Sequence, residues 1–265
     1  MMNRWFALSM TKRFSLTLRK AAMLVVIAGL VACGGTSNVK TSTSDNPDVL
    51  HKKIQLGKSY IQNGNFERAR FHLRDALKMA PESAEVHDAL ALMFMATDEM
   101  ALADEYFQKS LSREPNNSRY RNNYASFLMS QQRYDDAAVQ FQRVVDDVLY
   151  ENRTDAMVSL AVCKRELNDS AAAADLFAKV LRFNRLHPVA LYYTSLMHYD
   201  AGSISMAYNY WQRLNMSNNE SAASLLLGIK IAEAQGRQND AASMAIKLSS
   251  LYGNSAEYRE YQNSH

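Results

Sequence analysis

The chain has 265 residues, 48% of them hydrophobic, and its 30 Lys and Arg against 27 Asp and Glu leave a formal net charge of +3. Five of the basic residues and none of the acidic ones precede residue 33, so the remainder holds 25 basic against 27 acidic residues, a net charge of −2. With no Lys/Arg run or basic stripe beyond that point, the electrostatic footprint of a nucleic-acid binder is missing.

Arg4, Lys12, Arg13, Arg19 and Lys20 stand ahead of a twelve-residue apolar core at 21–32. A spanning helix needs about 20 apolar residues, so the pattern predicts a secretory signal over residues 1–32 that is cut off. Its basic part is long, and Met10 supplies an internal start. The residues Leu30-Val31-Ala32-Cys33 resemble the lipobox of bacterial lipoproteins. That resemblance implies diacylglycerol on the Cys33 sulfur, cleavage before it and acylation of the new amino terminus. Two acyl chains anchor a protein stably, and three make release negligible. Gly34 follows the cysteine, where the sorting rule it resembles pairs inner-membrane retention with Asp. The resemblance therefore implies the outer membrane, with the body facing the periplasm.

Residues 34–48 hold almost nothing apolar and cannot offset their conformational entropy by burial. Residues 33–49 are thus read as a lipidated cysteine and a flexible tether. Fifteen such residues have an end-to-end distance of about 20 Å.

Beyond Leu50, Ala, Leu, Met and Tyr recur at helical spacing. Leu56, Gly57, Tyr60, Ala69, Leu73, Ala76 and Pro81 fall on Leu90, Ala91, Phe94, Ala103, Phe107, Ser110 and Pro115 after a shift of 34. That period and pattern resemble the tetratricopeptide repeat, a pair of antiparallel helices. Gly57 and Ala69 let the two helices approach, Tyr60 and Leu73 fill the gap, and Pro81 ends the second helix. Further repeats start near Ser118, near Thr154 after two extra residues, at Pro188 and near Ser221, with Leu149 where repeat three would have its proline. Pro81, Pro115 and Pro188 all sit at boundaries. The expected fold is all-α, a right-handed superhelical solenoid of about six repeats over residues 50–252 with one continuous core. Residues 253–265 are expected to form a short cap with a frayed end.

Little in this body points to catalysis. The histidines show no metal-ligand spacing and the glycines no phosphate-cradling loop. Cys163, inside the first helix of repeat four, reads as a buried structural thiol, and Asp135-Asp136 and Asp146-Asp147 read as solvated helix positions. No cofactor, metal or small-molecule substrate is expected.

Binding is the better expectation. In the repeat family that this chain resembles, the second, fifth, ninth, twelfth and thirteenth positions of each first helix line a groove. Carried across, these are His51, Ile54, Lys58, Ile61 and Gln62, then Glu85, Asp88, Leu92, Met95 and Ala96. Repeat three is polar, with Arg119, Asn122 and Ser126. Repeats four to six supply Val158, Val162, Arg165, Tyr192, Leu196, Tyr199, Leu225 and Ile229. Two apolar patches flank a polar centre, and exposed apolar patches usually mark interaction sites. Repeats one and two, nearest the tether, are the expected partner site.

The order of signal, lipobox, tether and six repeats, with "RYRNNYASFLMSQQRYDDAAVQFQRVV" at 119–145 and "LYENRTDA" at 149–156, is similar to the type IV pilus biogenesis and stability lipoproteins, the pilotins of the pilus secretin. The Asn-Asn-Tyr block is the most distinctive part, while Ala125 and Met129 stand where that family commonly has Gly and often Cys. The resemblance implies an escort that binds secretin subunits at the outer membrane and promotes their assembly. Alternatives with the same anchor and fold are a scaffold for cell-wall enzymes or proteases and a subunit of an outer-membrane protein insertion machine.

Overall fold

The computed structural model describes residues 47–217 and 219–264, which form thirteen helices and no strand. The signal, Cys33 and the tether up to residue 46 lie outside the described residues. Twelve helices pair as successive hairpins. These are α1 (Pro47–Gln62) with α2 (Phe66–Met79), α3 (Ala84–Ala96) with α4 (Met100–Arg113), and α5 (Ser118–Ser130) with α6 (Tyr134–Asp146). They continue with α7 (Arg153–Glu166) and α8 (Ser170–Phe183), α9 (Pro188–Asp200) and α10 (Ile204–Met216), and α11 (Ala222–Ala234) and α12 (Gln238–Tyr252). The last helix, α13 (Ala256–Ser264), packs on α11 and α12, with Tyr258 and Tyr261 against their core and Lys230 Nζ 2.6 Å from Glu260 Oε1.

The local sequence sets the helix ends. Pro47 has a φ already suited to a helical first turn and no N–H to satisfy, and α1 includes it, so residues 47–49, expected in the tether, are helical. Ser83, Asn117 and Asp169 cap α3, α5 and α8 by accepting backbone N–H bonds, and Ser221 forms a reciprocal capping box with Ser224. Within each hairpin the chain turns through one residue of positive φ: Gly64, Asp98, Gln132, Asn168, Gly202 and Gly236. Their spacing is 34 residues, except for 36 between Gln132 and Asn168. The two extra residues lengthen the α6–α7 turn and leave Val148 and Leu149 exposed.

Packing follows the repeat logic. Ala69, Leu73, Ala103, Phe107, Ala137, Phe141, Ala173 and Phe177 are all fully buried. Buried Ser110 and Ser195 donate to the carbonyl oxygens of Ala84 and Ala207 at 2.9 and 2.8 Å, so these polar side chains sit inside without an open bond. The interior is not the single continuous core expected from the repeat. One cluster runs from Ile54 to Ala190, a small one joins Ala207, Leu227 and Ile231, and a third holds α11 and α12 together. Large aromatic side chains of α9 and α10, Tyr192, Tyr199, Tyr208 and Trp211, stand only partly buried around the small cluster. The described helices carry their own interior, as a self-contained folding unit does. None of them is long and apolar enough to cross a membrane.

Candidate partner-binding face

First helices meet along most of their row: α1 packs on α3, α3 on α5, α5 on α7, and α9 on α11, with the close packing interrupted between α7 and α9. Among the described residues, no second helix packs closely on the next second helix. Crowding along one row and spreading along the other makes the row of first helices the inner face of the stack.

That face sorts the expected groove residues by position. The fifth position is interior in four repeats: Ile54 is 1% exposed, Asp88 1%, Val158 7% and Leu225 2%. Ile54 is therefore a core residue and not part of a partner-binding surface, because it packs into the cluster that also holds Ala69, Leu73 and Ala89. Ile229, at a ninth position, is likewise buried. The other ninth and twelfth positions stay partly open: Lys58, Ile61, Leu92 and Met95 in the first two repeats, and Leu196 and Tyr199 in the fifth. Gln62 is exposed, and Asn122 and Tyr192 are half-buried. The structure thus brings Lys58, Ile61, Leu92, Met95 and Asn122 onto three touching helices, α1, α3 and α5. It sets Tyr192, Leu196 and Tyr199 apart on α9, where they also pack around Ala207 and Leu227.

Between the first three repeats runs a polar link that side-chain spacing did not reveal. Lys58 Nζ lies 3.3 Å from Glu85 Oε1 and 4.0 Å from Asp88 Oδ2, and Asn123 Nδ2 donates to Asp88 Oδ1 at 2.8 Å. Arg119 approaches Glu85 at 4.0 Å from the other side. Burial pushes the Asp88 carboxyl above the usual carboxylate range, against the opposing pull of Asn123, Lys58 and Arg119. The Asn-Asn-Tyr block acquires a physical reading here. Asn123 ties α5 to α3, and Tyr124 donates its hydroxyl to Asp104 Oδ1 at 2.8 Å, tying α5 to α4. Asn122 is left on the inner face between them.

Other candidate groups fall away from this face. Cys163 is fully buried, and burial pushes its thiol up to about 11, which leaves no thiolate near neutral pH. Asp136 bonds Arg133, and Asp147 accepts from the Ser118 hydroxyl at 2.5 Å, so both have structural roles. No group of three or more His, Cys, Asp or Glu side chains placed to hold a metal occurs among the described residues.

Stacked helical hairpins with an inner row of first helices define a tetratricopeptide repeat protein, and the sequence profile of that repeat matches residues 54–118, 101–148 and 128–190. The type IV pilus assembly protein PilF of Pseudomonas aeruginosa is 35% identical over 250 residues, 93% of this chain and 99% of that protein. The chain therefore belongs to the tetratricopeptide repeat family and, within it, to the type IV pilus biogenesis proteins related to PilF. A solved structure of P. aeruginosa PilF covers 82% of this chain and 98% of its own, with a TM-score of 0.74 and 35% identity. The structure of PilW, described as a widely conserved type IV pilus biogenesis factor, matches with a TM-score of 0.73 over 82% of this chain and 100% of its own, at 23% identity, and speaks to the fold alone.

Proposed function

We propose that this chain is an outer-membrane lipoprotein, anchored through Cys33 and facing the periplasm, that binds secretin subunits of the type IV pilus and promotes their multimerisation. The observation that carries the reading is the near full-length likeness to a type IV pilus assembly protein, which spans 93% of this chain and 99% of that protein. The inner face supplies the means: Ile61, Leu92 and Met95 offer apolar contact beside Lys58 and Asn122, on helices held in register by the Asp88 link. Its role is that of a binding surface, and no catalytic step is assigned to it.

The test pairs two variants in cells that make the pilus. Gln62→Glu with Met95→Glu places charge on the inner face of repeats one and two without touching the Lys58–Asp88 link, and should abolish secretin multimers on a gel and surface motility while thermal unfolding of the purified protein changes little. Cys33→Ala should remove the protein from the outer-membrane fraction. Normal multimers in the first variant would remove repeats one and two as the partner site, and outer-membrane fractionation of the second would remove the lipid anchor.

A further inference from the structure

The two edges of the hairpin stack differ in chemistry. The edge made by turns within hairpins carries Gly64, Asp98, Gln132, Asn168, Gly202 and Gly236 and their polar neighbours. The edge made by turns between hairpins carries large exposed apolar side chains in repeats three to six. Leu149 is 90% exposed, Met216 75% and Phe183 70%, with Val148, Leu186 and Leu251 beside them. The corresponding turns of repeats one and two hold only Pro81-Glu82 and Pro115-Asn116. Cross-links show that these tips lie along one edge. Ser118 at the start of α5 bonds Asp147, His187 at the start of α9 lies 3.7 Å from Asp155 at the start of α7, and Arg213 near the end of α10 donates to the Arg185 carbonyl at 2.6 Å.

At the α8–α9 turn the apolar tips meet positive charge. A groove of about 640 Å³ between α8, α9 and α10 is lined by Arg182, Arg185 and Arg213, with Asp175 as its one acid. His198 stacks on Tyr210 inside it, and Arg213 lies over the same ring. Acidic side chains lie elsewhere on the edge, Glu82 and Glu114 in the first two turns, Asp146, Asp147, Glu151 and Asp155 about the α6–α7 turn, and Glu220 in the α10–α11 turn.

We infer that this edge, centred on the α8–α9 turn and the end of α10, rests on an anionic phospholipid surface. The tips project rather than form a cleft, which suits insertion into a deformable layer, and arginine beside them matches headgroup phosphate. Chain connectivity points the same way, because α1 also begins on this edge. The chain from Cys33 to Pro47 can extend about 50 Å. The first and fifth hairpins, stacked at helix-packing distance, are about 40 Å apart. This connectivity argument rests on the anchor proposed at Cys33. The vesicle test does not, because it uses residues 34–265 without that cysteine.

The body should co-sediment with vesicles of three parts phosphatidylethanolamine to one part phosphatidylglycerol, bind phosphatidylcholine vesicles much less, and be released by 0.5 M salt. Leu149→Ser with Phe183→Ser should lower the partition coefficient about tenfold or more. Arg182→Glu with Arg185→Glu should abolish the preference for the charged vesicles. All four positions are exposed, so thermal unfolding should be unchanged. Failure to bind the charged vesicles, or equal binding by both variants, would overturn the inference. Loss of secretin co-precipitation in the Leu149/Phe183 variant without any vesicle effect would also overturn it, and would make the edge a protein contact.

Discussion

Gly57 of α1 lies so close to Leu73 of α2 that a β-carbon on the glycine would stand 2.5 Å from Leu73 Cδ2 and 2.6 Å from Cγ. Leu73 is fully buried and has nowhere to retreat. Gly57→Leu should therefore destabilise the protein by about 1–3 kcal/mol through overpacking, read as a lower midpoint in urea with an unchanged slope. An unchanged midpoint would mean the first hairpin opens to accept the side chain.

Ile54 lies beneath the inner face, in the main core cluster. Ile54→Ala should cost about 2–5 kcal/mol, and Ile54→Asp, which puts an unpaired charge in that interior, should prevent folding. Circular dichroism separates this outcome from a binding defect: a helical Ile54→Asp variant would return the residue to the surface.

Asp88 gives stability a dependence on pH. Its folded pKa is raised, so the folded state holds the proton more tightly than the unfolded chain, and stability falls as pH rises from about 3.9 through the folded value. Asp88→Asn keeps an acceptor for Asn123 and removes the buried charge. The variant should be at least as stable as the parent at neutral pH, with a margin that narrows in acid. Asp88→Ala, which leaves the Asn123 amide without its acceptor, should instead lose about 1–3 kcal/mol. A margin for Asp88→Asn that widened in acid would show that Lys58 and Arg119 outweigh burial.

Gln132 occupies a turn position with φ of +58°, where hairpins one, five and six use Gly64, Gly202 and Gly236. A side chain there opposes the left-handed conformation, and Gln132 is exposed, so nothing is gained by packing it. Gln132→Gly should raise stability by about 0.5–1 kcal/mol, seen as a higher midpoint of thermal unfolding. A loss would mean that the greater freedom of glycine in the unfolded chain dominates.

Much of this architecture was legible in the sequence because a 34-residue period fixes which residues must meet. The pattern marks Gly57 as a point of close approach and Leu73 as a filler of the gap, and helices begin at Ser118 and Pro188 and just after Ser221, as the period requires. The inner face was less legible. A first helix packs against its own partner and both neighbouring repeats, so α3 is buried nearly all round and its periodicity no longer marks an open side. Ile54, Val158 and Leu225 were misplaced for that reason. The link from Lys58 through Asp88 to Asn123 joins three helices, and residue spacing along one chain does not encode it. Helix α13 was expected only as a short capping segment with a frayed end, because it has too few residues for a repeat of its own.

Helix α9 stands between two interiors. Its Ala190, Tyr193 and Met197 belong with the long cluster, whereas Tyr192, Leu196 and Tyr199 turn toward the small one. The molecule therefore has a seam. Hydrogen exchange in α10 to α12 is expected to proceed by an opening that leaves α1 to α8 protected, because the two regions adjoin through α9. Such an opening would tilt α10 to α12 against α9, and the distance between α3 and α11 along the inner face would change with it. A polypeptide lying across both would feel the inner face as a jaw of adjustable width, closed by its own grip.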